Sequence, residues 1–73
     1  MERLSLAEIE PGMAVRYIPG HAGNNLSHPD SEHGIVSSKN ESWAFVKYSK
    51  QIARLGWDDA TAQATSPMDL IRA

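Results

Sequence analysis

The chain has 73 residues, no cysteine and a formal net charge of −2 with neutral histidines. That is enough chain for one domain. It allows no disulfide and no thiolate zinc site, and it lacks the basic excess usual in proteins that grip a phosphate backbone. Hydrophobic residues at 41% and charged residues at 22% fit a folded globule rather than a disordered chain. No apolar run approaches the ~20 residues of a membrane span, and Met1-Glu2-Arg3-Leu4-Ser5 is no signal segment. The expectation is a cytoplasmic protein without membrane contact.

Leu4 to Glu10 reads as a short helical turn. Ser5 and Glu8 have capping-box spacing, Leu6 and Ile9 are apolar anchors, and Pro11-Gly12 ends the turn. Met13 to Ile18 alternates, with Met13, Val15 and Tyr17 on one face, which predicts a strand. Gly20 to His33 is rich in Gly, Asn, Ser, His, Pro and Asp, and predicts a long loop of the kind that is usually functional or mobile. Gly34 to Ser38 and Trp43 to Tyr48 predict two strands of a hairpin joined through Lys39-Asn40-Glu41.

Ser49 to Asp59 predicts a polar connection that holds either one helical turn or a long excursion of the hairpin. Ala60 to Thr65 predicts a fourth strand, Ser66 to Asp69 a 3₁₀ turn, and Leu70-Ile71 a short closing strand. Alternation predicts that Val15, Val36, Val46 and Leu70 are buried together.

A strand, a long loop, a tight hairpin, a further strand, a Pro-containing turn and a last strand make an order that resembles SH3-like and Tudor-like barrels. In those, a long loop follows the first strand and a 3₁₀ turn precedes the last. The expected fold is therefore mostly β: one small SH3-like barrel of four or five short antiparallel strands, with a short N-terminal helical turn, over residues 1–73.

A second resemblance rests on the stretches Val15-Arg16-Tyr17-Ile18-Pro19-Gly20-His21-Ala22, His28-Pro29-Asp30-Ser31-Glu32-His33-Gly34-Ile35-Val36-Ser37-Ser38 and Phe45-Val46-Lys47-Tyr48. The late segment Thr61 to Ile71 fits the same pattern. These stretches resemble small proteins encoded by tailed phages and prophages. The resemblance implies a phage or prophage origin and no particular activity. Members of that group often carry Cys where Ser31 stands, so this loop has one metal-binding group fewer.

Three constellations bear on function. His21, His28, Asp30, Glu32 and His33 are clustered, and imidazole and carboxylate suit zinc or nickel. Their spacing matches no zinc motif, however, and turn-forming loop residues explain them as well. His21, His28, Asp30 and His33 are thus candidates for a metal without a metal being expected, and no cofactor motif is present. The same segment offers no nucleophile with a base and an orienting group, so an enzyme is not expected.

Lys47, Tyr48, Lys50, Arg54 and Trp57, with Arg16 and Tyr17, interleave cations and aromatics in the manner of single-strand nucleic-acid binders. Asp58 and Asp59 beside Trp57 oppose that use. Finally, Trp43 and Phe45 share the face of their strand opposite Ala44, Val46 and Tyr48, so large rings must look outward, as they do at protein interfaces.

The favoured reading is a small phage accessory protein that binds and modulates a host or phage protein, an inhibitor of host machinery or defence being one such role. Lys50, Arg54 and Trp57 would stand at the centre of the contact, with His21, His28 and Trp43 around them. A nucleic-acid-binding module is second, and a metal-dependent or catalytic protein third. The sequence leaves the partner's identity and the oligomeric state open.

Overall fold

The computed structural model describes residues 2–23 and 25–73; Met1 and Asn24, the latter inside the expected loop, lie outside the described residues. Five antiparallel strands form one sheet: β1 (Ala14–Tyr17), β2 (Glu32–Lys39), β3 (Ala44–Tyr48), β4 (Gln63–Thr65) and β5 (Leu70–Arg72). Their order is β4-β3-β2-β1-β5, and the sheet is open, since among the described residues no ladder joins β4 to β5. An α-helix, α1 (Ser49–Leu55), follows β3, and 3₁₀ turns stand at Leu6–Glu8, Gly20–Ala22 and Pro67–Asp69. The fold is mostly β, with the long connection after β1 and a 3₁₀ turn directly before β5. No helix among the described residues is long and apolar enough to cross a membrane.

Period-two alternation accounts for the part of the core that the strands supply. Val15, Val36, Val46 and Leu70 are fully buried and belong to one cluster with Leu4, Ile9, Ala44 and Tyr48. The N-terminal segment covers the inner face of the sheet and is tied down on both sides. Leu4 N–H donates to the Leu70 carbonyl (2.9 Å), and Gly12 N–H to the Val36 carbonyl (2.8 Å). Between them, the Ser5 amide and hydroxyl both donate to the Glu8 carboxylate at the 3₁₀ turn.

Gly34 is closely enclosed in the middle of the sheet. It pairs with Val15 on one side and Tyr48 on the other. A Cβ there would stand 2.5 Å from Val46 Cγ1 and 3.1 Å from Tyr48 Cδ1. Only a residue without a side chain lets the Tyr48 ring lie against the β2 backbone.

Several element boundaries differ from those read from the sequence. β2 begins at Glu32 rather than Gly34, because Tyr17 and Arg16 pair with Glu32 and His33. His33 is therefore an exposed strand residue, not part of the loop. β3 begins at Ala44, because the Asn40 side chain accepts the amides of Ser42 and Trp43 (both 2.8 Å) and holds Trp43 in the turn. The connection after β3 holds a helix of seven residues rather than one turn. That helix stops at Gly56, whose φ of +83° favours glycine.

β4 spans only Gln63–Thr65. Ala60 and Thr61 are held back against the helix, Ala60 N–H by the Gly56 carbonyl (3.0 Å) and Thr61 N–H by Gln51 Oε1 (2.9 Å).

Gly34→Ala should destabilise the fold by about 1–3 kcal/mol, because the new methyl overpacks a backbone-lined contact. Gly20→Ala, where a Cβ meets nothing within 4 Å, should stay within about 0.5 kcal/mol of the parent. Chemical denaturation of the two variants measures the difference.

Candidate functional site

Strand parity decides which side chains meet at the surface. Tyr17 and Tyr48 share the parity of Val15 and Val46, so both rings lie on the inner face of the sheet, at the end where the core opens. They pack edge to face, with centroids 5.9 Å apart and planes at 70°. Glu32, paired with Tyr17, stands beside them. The loop brings in Asp30, the turn before β3 brings in Trp43, and the 3₁₀ turn before β5 brings in Asp69. Together these six residues and the edge strand β4 line a cleft of about 330 Å³.

The cleft is aromatic and acidic. Among the described residues no Lys or Arg lines it. The phenol of Tyr48 meets Thr65 Oγ1 at 2.7 Å, and that hydroxyl lies 3.2 Å from the Gln63 carbonyl. Thr65 therefore donates to Gln63, and Tyr48 donates to Thr65.

Burial pushes the Tyr48 phenol up to about 12, against the Thr65 bond, and Tyr17 and the carboxylates of Glu32 and Asp69 act in the same direction as burial. Tyr17 is also raised, by burial first and then by Asp69 and Asp30. The fields of three carboxylates thus converge on two phenols. Trp43 at the rim is 44% exposed.

A second groove, of about 390 Å³, shares Glu32, Tyr48 and Gln63 with the cleft. Its remaining wall is α1, where Lys50 and Arg54, one helical turn apart, form a basic shoulder with Gln51. The Lys50 amide, in the first turn of α1, lies 3.3 Å from Glu32 Oε1.

The residues singled out from the sequence are distributed differently from the expected grouping. Lys50 and Arg54 do lie together on the groove beside the cleft. Trp57 does not join them there. Lys47 has the opposite parity to Tyr48, and on that outer face its ammonium sits 4.5 Å from the centroid of the Trp57 indole and donates to the Trp57 carbonyl (2.6 Å). Arg16, of the outer parity as well, donates to the Leu26 carbonyl (2.7 Å). The basic and aromatic residues therefore do not form one stripe.

His21 Nε2 lies 2.7 Å from Asp30 Oδ2. His28 Nδ1 accepts the Asp30 amide (3.1 Å), and the rings of His21 and His28 meet edge to face. His33 is not part of that group. Sequence reasoning missed Asp69 and the joint role of Tyr17, Tyr48 and Glu32. The parity of the two tyrosines was available in the sequence, whereas the approach of Asp69 depends on the path of the last turn.

No known family model, curated protein or solved structure matches the chain.

Two titrations follow. The hydrogen bond from His21 holds the Asp30 carboxyl below its ordinary range. The stability linked to it is present above the ordinary carboxylate range and is lost as pH falls through the lowered value. His21→Ala should move the Asp30 carboxyl upward in a carbon-13 NMR titration.

Tyr48 has the opposite sign. Its neutral form is favoured in the fold, so its contribution is whole below the ordinary tyrosine value near 10 and fades as pH rises from about 10 to about 12. Alkaline unfolding followed by phenolate absorbance should show that decline, reduced in Tyr48→Phe.

Proposed function

We propose that this chain is a non-catalytic protein-binding module whose aromatic, acidic cleft takes a basic side chain of its partner. The observation that carries this reading is the convergence of Asp30, Glu32 and Asp69 on the Tyr17, Trp43 and Tyr48 rings. Carboxylates attract a guanidinium or ammonium, and aromatic faces hold it by cation–π attraction while packing its aliphatic stem. Tyr and Trp are also the residues that most often dominate binding energy at protein interfaces. The basic shoulder of Lys50 and Arg54 adjoins the cleft, so a partner segment with a cation in the cleft and a carboxylate over α1 meets complementary charge at both points.

The phage resemblance adds a setting: a small accessory protein acting on a host or phage protein in the bacterial cytoplasm. Nucleic acid fits the cleft less well, because its phosphates would face three carboxylates. Lys47 and Arg16 are also engaged, with Trp57 and the Leu26 carbonyl.

The test is NMR mapping with short extended peptides that carry Arg or Lys, set against the same peptides with Glu at that position. The cationic peptides should shift Tyr17, Trp43 and Tyr48, and the acidic ones should not. Trp43→Ala and Asp69→Asn should each weaken binding by at least about 1 kcal/mol, and Trp57→Ala should leave it intact. Shifts clustered on Lys47 and Trp57, or equal binding of the acidic peptides, would refute the reading.

A further inference from the structure

The loop between β1 and β2 brings together three of the four residues that the sequence marked for a metal. His21, His28 and Asp30 each offer one donor atom, and these atoms lie within 4.8 Å of one another. The geometry points to a binding site at this cluster for one divalent transition ion of the zinc class. The inference does not depend on what the neighbouring cleft binds.

The donor set selects the class of ion. Two imidazoles and one carboxylate suit zinc, nickel or cobalt, whereas calcium and magnesium want oxygen donors throughout. The spacing is close to what such an ion needs. Two ligands about 2.0–2.2 Å from a tetrahedral zinc stand roughly 3.3 Å apart. His21 Nε2 and Asp30 Oδ2 are already 2.7 Å apart, so this pair has only to open slightly while His28 draws in. The two rings meet edge to face, with centroids 5.3 Å apart.

The backbone holds these donors in place by contacts of its own. His21 is the middle residue of the 3₁₀ turn Gly20–Ala22, which is anchored by the buried Ala22 and by the bond from Ala22 N–H to the Pro19 carbonyl (2.9 Å). His28 and Asp30 sit in a turn closed by Ser31 N–H on the His28 carbonyl (2.9 Å). Arg16 ties the stretch between them to the sheet through the Leu26 carbonyl. Both halves of the site are thus shaped before an ion arrives, which lowers the ordering cost of binding.

The ion would take the place of the hydrogen bond between His21 Nε2 and Asp30 Oδ2; a neutral His21 then carries its proton on Nδ1, and a charged one releases the Nε2 proton to water. His28 would either turn its ring over or give up the Asp30 amide at Nδ1. Because the imidazoles must be neutral to ligate, acid releases the metal. The side chains of His21 and Asp30 are well exposed, at 63% and 59%, so the remaining coordination position faces water. His33 stands apart on β2, opposite Arg16, and contributes no ligand.

The experiment is a zinc chloride titration of tag-free, chelator-treated protein, followed by calorimetry and by the histidine ring resonances. One equivalent should bind, with shifts at His21 and His28 and none at His33. His21→Ala, His28→Ala and Asp30→Asn, each shown to be folded by circular dichroism, should lose at least about tenfold in affinity, and His33→Ala should lose nothing. Absence of a stoichiometric ring shift would overturn the site, as would a loss in His33→Ala as large as in His21→Ala.

Discussion

The ring of Tyr48 lies against a glycine, and most of the molecule is arranged around that contact. Gly34 leaves room for the ring and for Val46, so β2 can pack closely with both of its neighbours. With the ring fixed there, its hydroxyl reaches across to Thr65 and ties the short strand β4 to β3. Its outer edge remains as a wall of the cleft. One residue thus belongs to the core, to the sheet's cohesion and to the surface, and a change that loosens it is felt at all three. This explains why the cleft sits at an end of the sheet: the core runs out there, and tyrosines, apolar in body and polar at the tip, suit that boundary.

Charge is segregated around the same boundary. The chain carries only a small net negative charge, yet carboxylates from a loop, a strand and a 3₁₀ turn gather at the two phenols. Lys50 and Arg54 lie beside that spot on α1, Lys47 and Arg16 point to the outer face of the sheet, and Lys39 and Arg72 are engaged at the N-terminal turn by the Leu6 carbonyl and Glu8. Long-range attraction by a net charge is weak in such a protein. Its electrostatics act locally, where low-dielectric ring faces limit screening.

The sequence disclosed what depends on period and little of what depends on register. Val15, Val36, Val46 and Leu70 were legible because alternation around each is clear, and the Ser5–Glu8 pairing, the hairpin and the last 3₁₀ turn were legible from capping and turn chemistry. The cleft was not. It requires that β2 start at Glu32, a residue whose polarity looks like loop, and that the turn before β5 carry Asp69 toward Tyr17. The setting of Trp57 was not legible for a related reason. It follows Lys50 and Arg54 closely in sequence, but the chain leaves α1 at Gly56 and sends the indole to Lys47, whose side chain points away from Tyr48. His33 looks like a loop histidine in the sequence, because neighbours alternate faces only where a strand exists, and β2 reaches back to Glu32.

An open sheet has two edges, and their state bears on how this chain meets other molecules. One edge, β5, has its Leu70 carbonyl occupied by the Leu4 amide. The other, β4, is three residues long and ends in the serine-proline turn. Neither offers the long row of free amides and carbonyls that another chain needs in order to add a strand. The domain is accordingly poorly suited to edge-to-edge strand pairing, the usual hazard of a small β protein.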